Sequence, residues 1–108
     1  MHRGPRSEEG RDRYEAIARG LVASKGAEAG KMFGMPVLKK GGKVFAGFYS
    51  ASMTFKLRGG LHDEALKLPG ARVFDPSGVG RAMKEWVEVP VSVADEWERL
   101  AEAALASL

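Results

Sequence analysis

Residues 30–59, GKMFGMPVLKKGGKVFAGFYSASMTFKLRG, decide the fold. Met53, Phe55 and Leu57 alternate with Thr54, Lys56 and Arg58. A period of two with one apolar face is the mark of a half-buried antiparallel strand. Lys43 to Tyr49 reads as a second strand, with Val44, Ala46 and Phe48 on one face and Phe45 and Tyr49 on the other. Gly41-Gly42 before it suits a two-residue hairpin, because both positions can take positive φ. Ser50-Ala51-Ser52 after it allows another tight turn. Met32 to Lys40 is read as one strand, and Pro36, which has no amide proton, places it at an edge or at a bulge.

Outward from this block, the spacing predicts helices on both sides. Asp12 and Glu15 have capping-box spacing. Tyr14, Ile17, Ala18, Leu21 and Val22 then fall on one helical stripe that Gly26 ends. Residues 1–11 are polar and aperiodic and are expected to be flexible, leaving 12–108 as a single domain. Gly59-Gly60 ends the strand block, and Leu61, Ala65 and Leu68 outline a short helix closed by Pro69-Gly70. Arg72 to Asp75 is a short strand, followed by the turn Asp75-Pro76-Ser77-Gly78. Met83 to Val89 is the fifth strand. Ser92 caps a last helix whose stripe is Val93, Trp97, Leu100, Ala101, Ala104, Leu105 and Leu108. The order α-β(3)-α-β(2)-α, rich in hairpins, gives an α+β two-layer sandwich with a mostly antiparallel five-stranded sheet.

At 108 residues, with 44% hydrophobic and 29% charged residues, the chain suits one globular domain. It has no cysteine, so disulfides and thiolate metal sites are excluded. No apolar run approaches the roughly 20 residues a membrane-spanning helix needs, and MHRGPRSEEGRDR lacks the apolar core of a signal peptide. No membrane association and a cytoplasmic location are therefore expected. The net charge of +3 is unevenly spread: +1 over residues 1–29, +5 over 30–90 and −3 over 91–108. A basic sheet region can attract a polyanion.

Met32-Phe33-Gly34, Gly42-Lys43-Val44-Phe45-Ala46 and Met53-Thr54-Phe55-Lys56-Leu57 resemble the N-terminal domain of TfoX-type competence regulators. Met83-Lys84-Glu85-Trp86-Val87-Glu88-Val89-Pro90, followed by an acidic amphipathic helix, resembles the end of that domain, and also the related YjbR/MmcQ-like proteins. The resemblance spans roughly residues 12–108. It implies a fold like that of type III secretion chaperones and a regulatory role, DNA-associated in TfoX proper. It implies no enzyme and no cofactor. Full-length TfoX adds a helical C-terminal domain with no counterpart in these 108 residues.

No catalytic constellation stands out. His62 lies beside Asp63 and Glu64, which point in different directions on a helix, so it reads as a solvated helix residue and not as a metal ligand. Gly78-Val79-Gly80 precedes a strand and lacks the third glycine of a dinucleotide fingerprint, so it reads as a plain loop. Of the acids Asp75, Glu85 and Glu88, alternation gives burial only to Glu85, beside a basic neighbour at the sheet margin. The candidate binding residues are Tyr49, Lys56, Arg58, Arg81, Lys84 and Trp86, aromatic and basic groups expected on the sheet face away from the helices. Such a face can stack bases and track phosphates. It can equally serve a protein partner or self-association. A third alternative has Trp86 and Phe45 covered by Met32, Phe33 and the N-terminal segment. The function classes are then a non-catalytic binding or regulatory module, a dimeric chaperone-like adaptor, and, last, a small-ligand binder or enzyme, for which the sequence supplies no set of convergent polar groups.

Overall fold

The structure is a computed structural model that describes residues 5–32, 34–76 and 83–108, with side chains from Glu8 onward. The described elements are helix α1 (Pro5–Lys25), strands β1 (Glu28–Met32), β2 (Met35–Lys40), β3 (Lys43–Tyr49) and β4 (Ser52–Lys56), helix α2 (Gly59–Leu66), strands β5 (Arg72–Phe74) and β6 (Met83–Pro90), a 3₁₀ segment (Val91–Glu96) and helix α3 (Trp97–Ala106). The strands form one antiparallel sheet in the order β1-β2-β3-β4-β6-β5.

The α+β antiparallel architecture is as the hairpin pattern predicts, but the sheet has six strands, not five. The added strand is β1, and the segment read as one strand from Met32 to Lys40 is divided between the end of β1 at Met32 and β2, which starts at Met35 just after Gly34 with φ +81°. The register of the β1–β2 hairpin is Met32↔Met35 through Glu28↔Lys39. Pro36 faces Lys31 in that hairpin, while pairing with β3 starts one residue later, at Val37↔Gly47. A residue that cannot donate thus sits where the ladder to β3 has not yet begun.

Helix α1 starts at Pro5, seven residues before Asp12, so the expected cap and the boundary at residue 12 both fall inside it. Proline is favoured at a helix start because its fixed φ is helical and its missing N–H is not needed there. Gly10 is buried, and a Cβ there would stand 3.3 Å from the Phe48 ring. The turn residues behave as their chemistry requires. Gly41 and Gly42 have φ of +59° and +78°, the mirror-image turn that matches strand twist.

The helices cover one face of the sheet. Tyr14, Ala18 and Leu21 of α1, Ala65 of α2, and Trp97, Leu100, Ala101 and Ala104 of α3 meet Leu38, Ala46, Phe48, Met53, Phe55, Val87 and Val89 of the strands. Trp97 Nε1–H donates to the Val89 carbonyl at 3.1 Å, so the largest core side chain is also hydrogen-bonded. Ion pairs tie the helices together at the surface: Arg13 with Asp95 at 2.9 Å, and Arg99 with Glu64 at 2.9 Å and Glu96 at 2.6 Å. Among the described residues no helix is long and apolar enough to cross a membrane.

Two irregularities change which residues share a face. Leu38 pairs with Ala46 but Lys39 pairs with Val44, so Phe45 is an extra residue on β3. Such a bulge shifts the alternation by one. Phe45 joins Ala46 and Phe48 in the core, fully buried, and Val44 shares the other face with Lys39; the sequence alternation had put Val44 inside and Phe45 outside. On β6, Val87 pairs with Val73 but the next pair is Met83 with Phe74, so Lys84, Glu85 and Trp86 bow out of that ladder. Met83, expected beside Val87 and Val89, lies on the opposite face with Trp86.

Candidate functional site

The sheet face away from the helices is a concave groove with a cavity of about 700 Å³. Its curvature is visible in one contact. The rings of Tyr49 on β3 and Phe74 on β5 lie edge to face with centroids 5.2 Å apart, although β4 and β6 stand between their strands. Three inter-strand spacings would separate them by about 14 Å on a flat sheet, so the sheet coils toward this face. Met32, Met35 and Pro36 of the first hairpin form one wall, Phe74, Met83 and Trp86 the other, and Val37 and Thr54 the floor. Gly47 lets the β1–β2 hairpin pack close against that floor. A Cβ there would stand 2.8 Å from Met35 Cε, 3.1 Å from Thr54 Oγ1 and 3.2 Å from the Pro36 carbonyl oxygen. A glycine in mid-strand marks such a close approach.

The polar content of the groove is small. Arg11 is the only side chain of ordinary charge among its described lining residues, and its guanidinium lies 5.6 Å above the Phe48 ring. Tyr49 and Ser50 supply hydroxyls near the β3–β4 turn. Thr54 Oγ1 is the unusual group: the residue is fully buried, and its hydroxyl has no hydrogen-bond partner among the described residues. A buried hydroxyl without a partner costs about 1–3 kcal/mol.

The sequence-predicted residues separate into different places. Tyr49 and Trp86 both line the groove. Lys56 and Arg58 lie with Lys43 around a depression against Ala104 of α3 and Ser107 just beyond it, and Lys56 Nζ is 3.9 Å from Glu85 Oε1. Lys40 and Lys25 continue that basic end, where Lys40 Nζ donates to the Lys25 carbonyl at 2.9 Å and caps α1. Lys84 is exposed, and its carbonyl accepts a hydrogen bond of 2.8 Å from His62 Nε2. Arg81 lies outside the described residues, as do Phe33, Gly78, Val79 and Gly80. Lys56 stands directly opposite Trp86 in the β4–β6 ladder, so aromatic and basic groups adjoin there. From that pair, Trp86 turns with Tyr49 into the apolar hollow, while Lys56 lies with Lys43 and Arg58 around the depression beside α3.

Two smaller readings are revised. His62 is not simply solvated: its side chain is 20% exposed and ties α2 to β6, with Nε2 as the protonated nitrogen. The buried acid is Glu88, not Glu85. Glu88 faces Thr54 and Arg72 across its two neighbouring strands and accepts from Arg72 Nε at 3.3 Å, while Glu85 is exposed. Among the described residues no group of three His, Cys, Asp or Glu side chains could hold a metal ion.

Sequence reasoning missed Met32, Met35, Thr54, Phe74 and Met83 as site residues. The one signal that pointed to them was Gly47, a glycine in the middle of an otherwise bulky strand. The chain matches no protein-family model, no curated protein and no solved structure.

Proposed function

We propose that this chain is a non-catalytic binding module and that the groove between the β1–β2 hairpin and the β5–β6 pair is its binding surface. The observation that carries this reading is an apolar cavity of about 700 Å³, lined by Tyr49, Phe74 and Trp86, on the sheet face that the helices leave uncovered. Ligand sites are typically hollows of roughly 300–1,000 Å³, mostly apolar, with a few placed polar groups. The non-catalytic part of the reading is supported by the lining. Its described residues include no carboxylate and no histidine, and so no acid–base pair or activated nucleophile. The resemblance to the TfoX N-terminal domain supports a regulatory setting in the cytoplasm, in which occupancy of the groove would be the signal. The chaperone-like adaptor reading uses the same groove, with an apolar segment of a protein partner or a second copy as its occupant. A DNA-associated role would fall to the separate basic end formed by Lys25, Lys40, Lys43, Lys56 and Arg58.

The test is a titration with the apolar dye 1-anilinonaphthalene-8-sulfonate, followed by dye fluorescence and by the two tryptophan indole N–H signals in a ¹H–¹⁵N spectrum. The Trp86 signal should move on binding. The Trp97 signal, held by the Val89 carbonyl inside the core, should not. Trp86→Ala should weaken the dye about tenfold, the loss of roughly 1.4 kcal/mol of ring contact. Absence of binding, or shifts centred on Trp97, would refute the groove as the site.

A further inference from the structure

The groove holds an unspent hydrogen-bonding group. Thr54 sits in the middle of its floor, between Gly47 of β3 and Glu88 of β6, and its Oγ1 has no partner among the described residues. Glu88 takes its own hydrogen bond from Arg72, on the far side from Thr54. A hydroxyl that the fold buries and leaves unpaired is a poor structural choice, since valine would fill the same space. It is a sensible choice if something else completes the bond.

We infer that the groove is a small-molecule site for a neutral, flat aromatic compound carrying one hydroxyl, carbonyl or amide group, and that this group pairs with Thr54 Oγ1. The inference rests on the binding-module reading above and names its ligand class. Three observations define the class. The rings of Tyr49, Phe74 and Trp86 offer edges and faces to another ring. The methionines Met35 and Met83 adapt to irregular apolar shapes and make favourable sulfur–ring contacts. No free charge is at hand among the described residues to compensate a buried ion, since Arg11 is an exposed residue on α1 and the carboxylate of Glu88, beside Thr54, is already paired with Arg72.

Met35 is the placeholder for this ligand. Its terminal methyl and Thr54 Oγ1 both lie against Gly47, 2.8 and 3.1 Å from where a Cβ there would stand, and the hydroxyl has essentially no exposed area. The unbranched thioether has three rotatable bonds, so it can swing aside and uncover the hydroxyl without moving the backbone.

The experiment compares naphthalene with 2-naphthol on the full chain, reading the Trp86 indole signal. The two differ by one hydroxyl. Without a partner in the site that hydroxyl must be stripped of water, and 2-naphthol would bind the weaker of the two. With Thr54 as partner it should bind about fivefold to tenfold more tightly than naphthalene. Thr54→Val should abolish that preference, while Thr54→Ser, which keeps the hydroxyl, should retain it. Equal binding by the wild-type chain, or a preference that survives in Thr54→Val, overturns the ligand class and leaves the binding module standing. If neither compound moves Trp86 and the anilinonaphthalene dye also fails, both readings fall. A Trp86 signal that shifts with protein concentration in the absence of ligand assigns the groove to a second copy and overturns the small-molecule site.

Discussion

Replacing Thr54 by valine should make the free protein more stable, against the usual direction of core substitutions. The side chain is fully buried, and Oγ1 has no partner among the described residues. Valine keeps the branched shape that suits a strand and removes only the hydroxyl. The penalty relieved is that of a buried unsatisfied hydroxyl, about 1–3 kcal/mol. The expected gain is taken from the lower end of that range. A gain of about 1–1.5 kcal/mol should raise Tm by roughly 4–10 °C for a domain near 100 residues. Urea unfolding followed by circular dichroism measures it directly. The midpoint should rise with an unchanged slope, since the exposed surface of the unfolded chain is the same. Thr54→Ser is the control: it keeps the orphaned hydroxyl, loses a buried methyl, and should lower stability by about 1 kcal/mol. A Thr54→Val protein destabilised by about 1 kcal/mol or more would mean that the hydroxyl is satisfied, and the argument for a ligand partner would go with it.

Two further predictions concern the helix side of the sheet. Tyr14 is pressed against Phe48 with ring centroids 5.5 Å apart, and burial, with a smaller contribution from Glu15, pushes its hydroxyl up from 10 to about 12. Because the folded value lies above the unfolded one, the neutral side chain's contribution to stability is fully present below pH 10 and is lost between about pH 10 and 12. Phenolate absorbance should show one tyrosine ionising near that upper limit, and Tyr14→Phe should remove that step. Leu100 is fully buried in the core, so Leu100→Ala should cost about 2–5 kcal/mol in urea unfolding while the groove's dye affinity per folded molecule stays the same.

What could be read from the sequence was what side-chain pattern alone controls. Met53, Phe55 and Leu57 alternate on a regular strand, and all three are buried. Gly41-Gly42 could be placed because few residue pairs tolerate two positive φ angles in a row. Strand β1, Glu28-Ala29-Gly30-Lys31-Met32, was not legible because its side chains are mostly exposed or half-exposed and it pairs with β2 alone. Backbone hydrogen bonds to β2 hold it, and these leave no mark in residue type. The first turns of α1 were hidden for a similar reason. They are polar, and the residue that packs there is Gly10, whose backbone lies against Phe48.

The groove was illegible for a more specific reason: the two bulges made it. Strict alternation would put Phe45 on the outer face, where its ring would project on the groove side, and would put Met83 under the helices, where it would leave the wall beside Trp86 unbuilt. The extra residue on β3 moves Phe45 into the core, and the bow in β6 moves Met83 out of it. Each shift is a one-strand event with no special residue at its centre, so periodicity cannot announce it. Gly47 completes the hollow, because even one methyl there would meet Met35, Thr54 and the Pro36 carbonyl. The concavity thus comes from backbone choices, and the polar group that gives it chemistry is a single threonine in a position where the strand pattern accepts any polar residue. A motif search is blind to such a site; it becomes visible only when one asks of each buried polar atom what it is bonded to, and Thr54 Oγ1 is the one buried side-chain polar atom among the described residues for which the fold returns no partner.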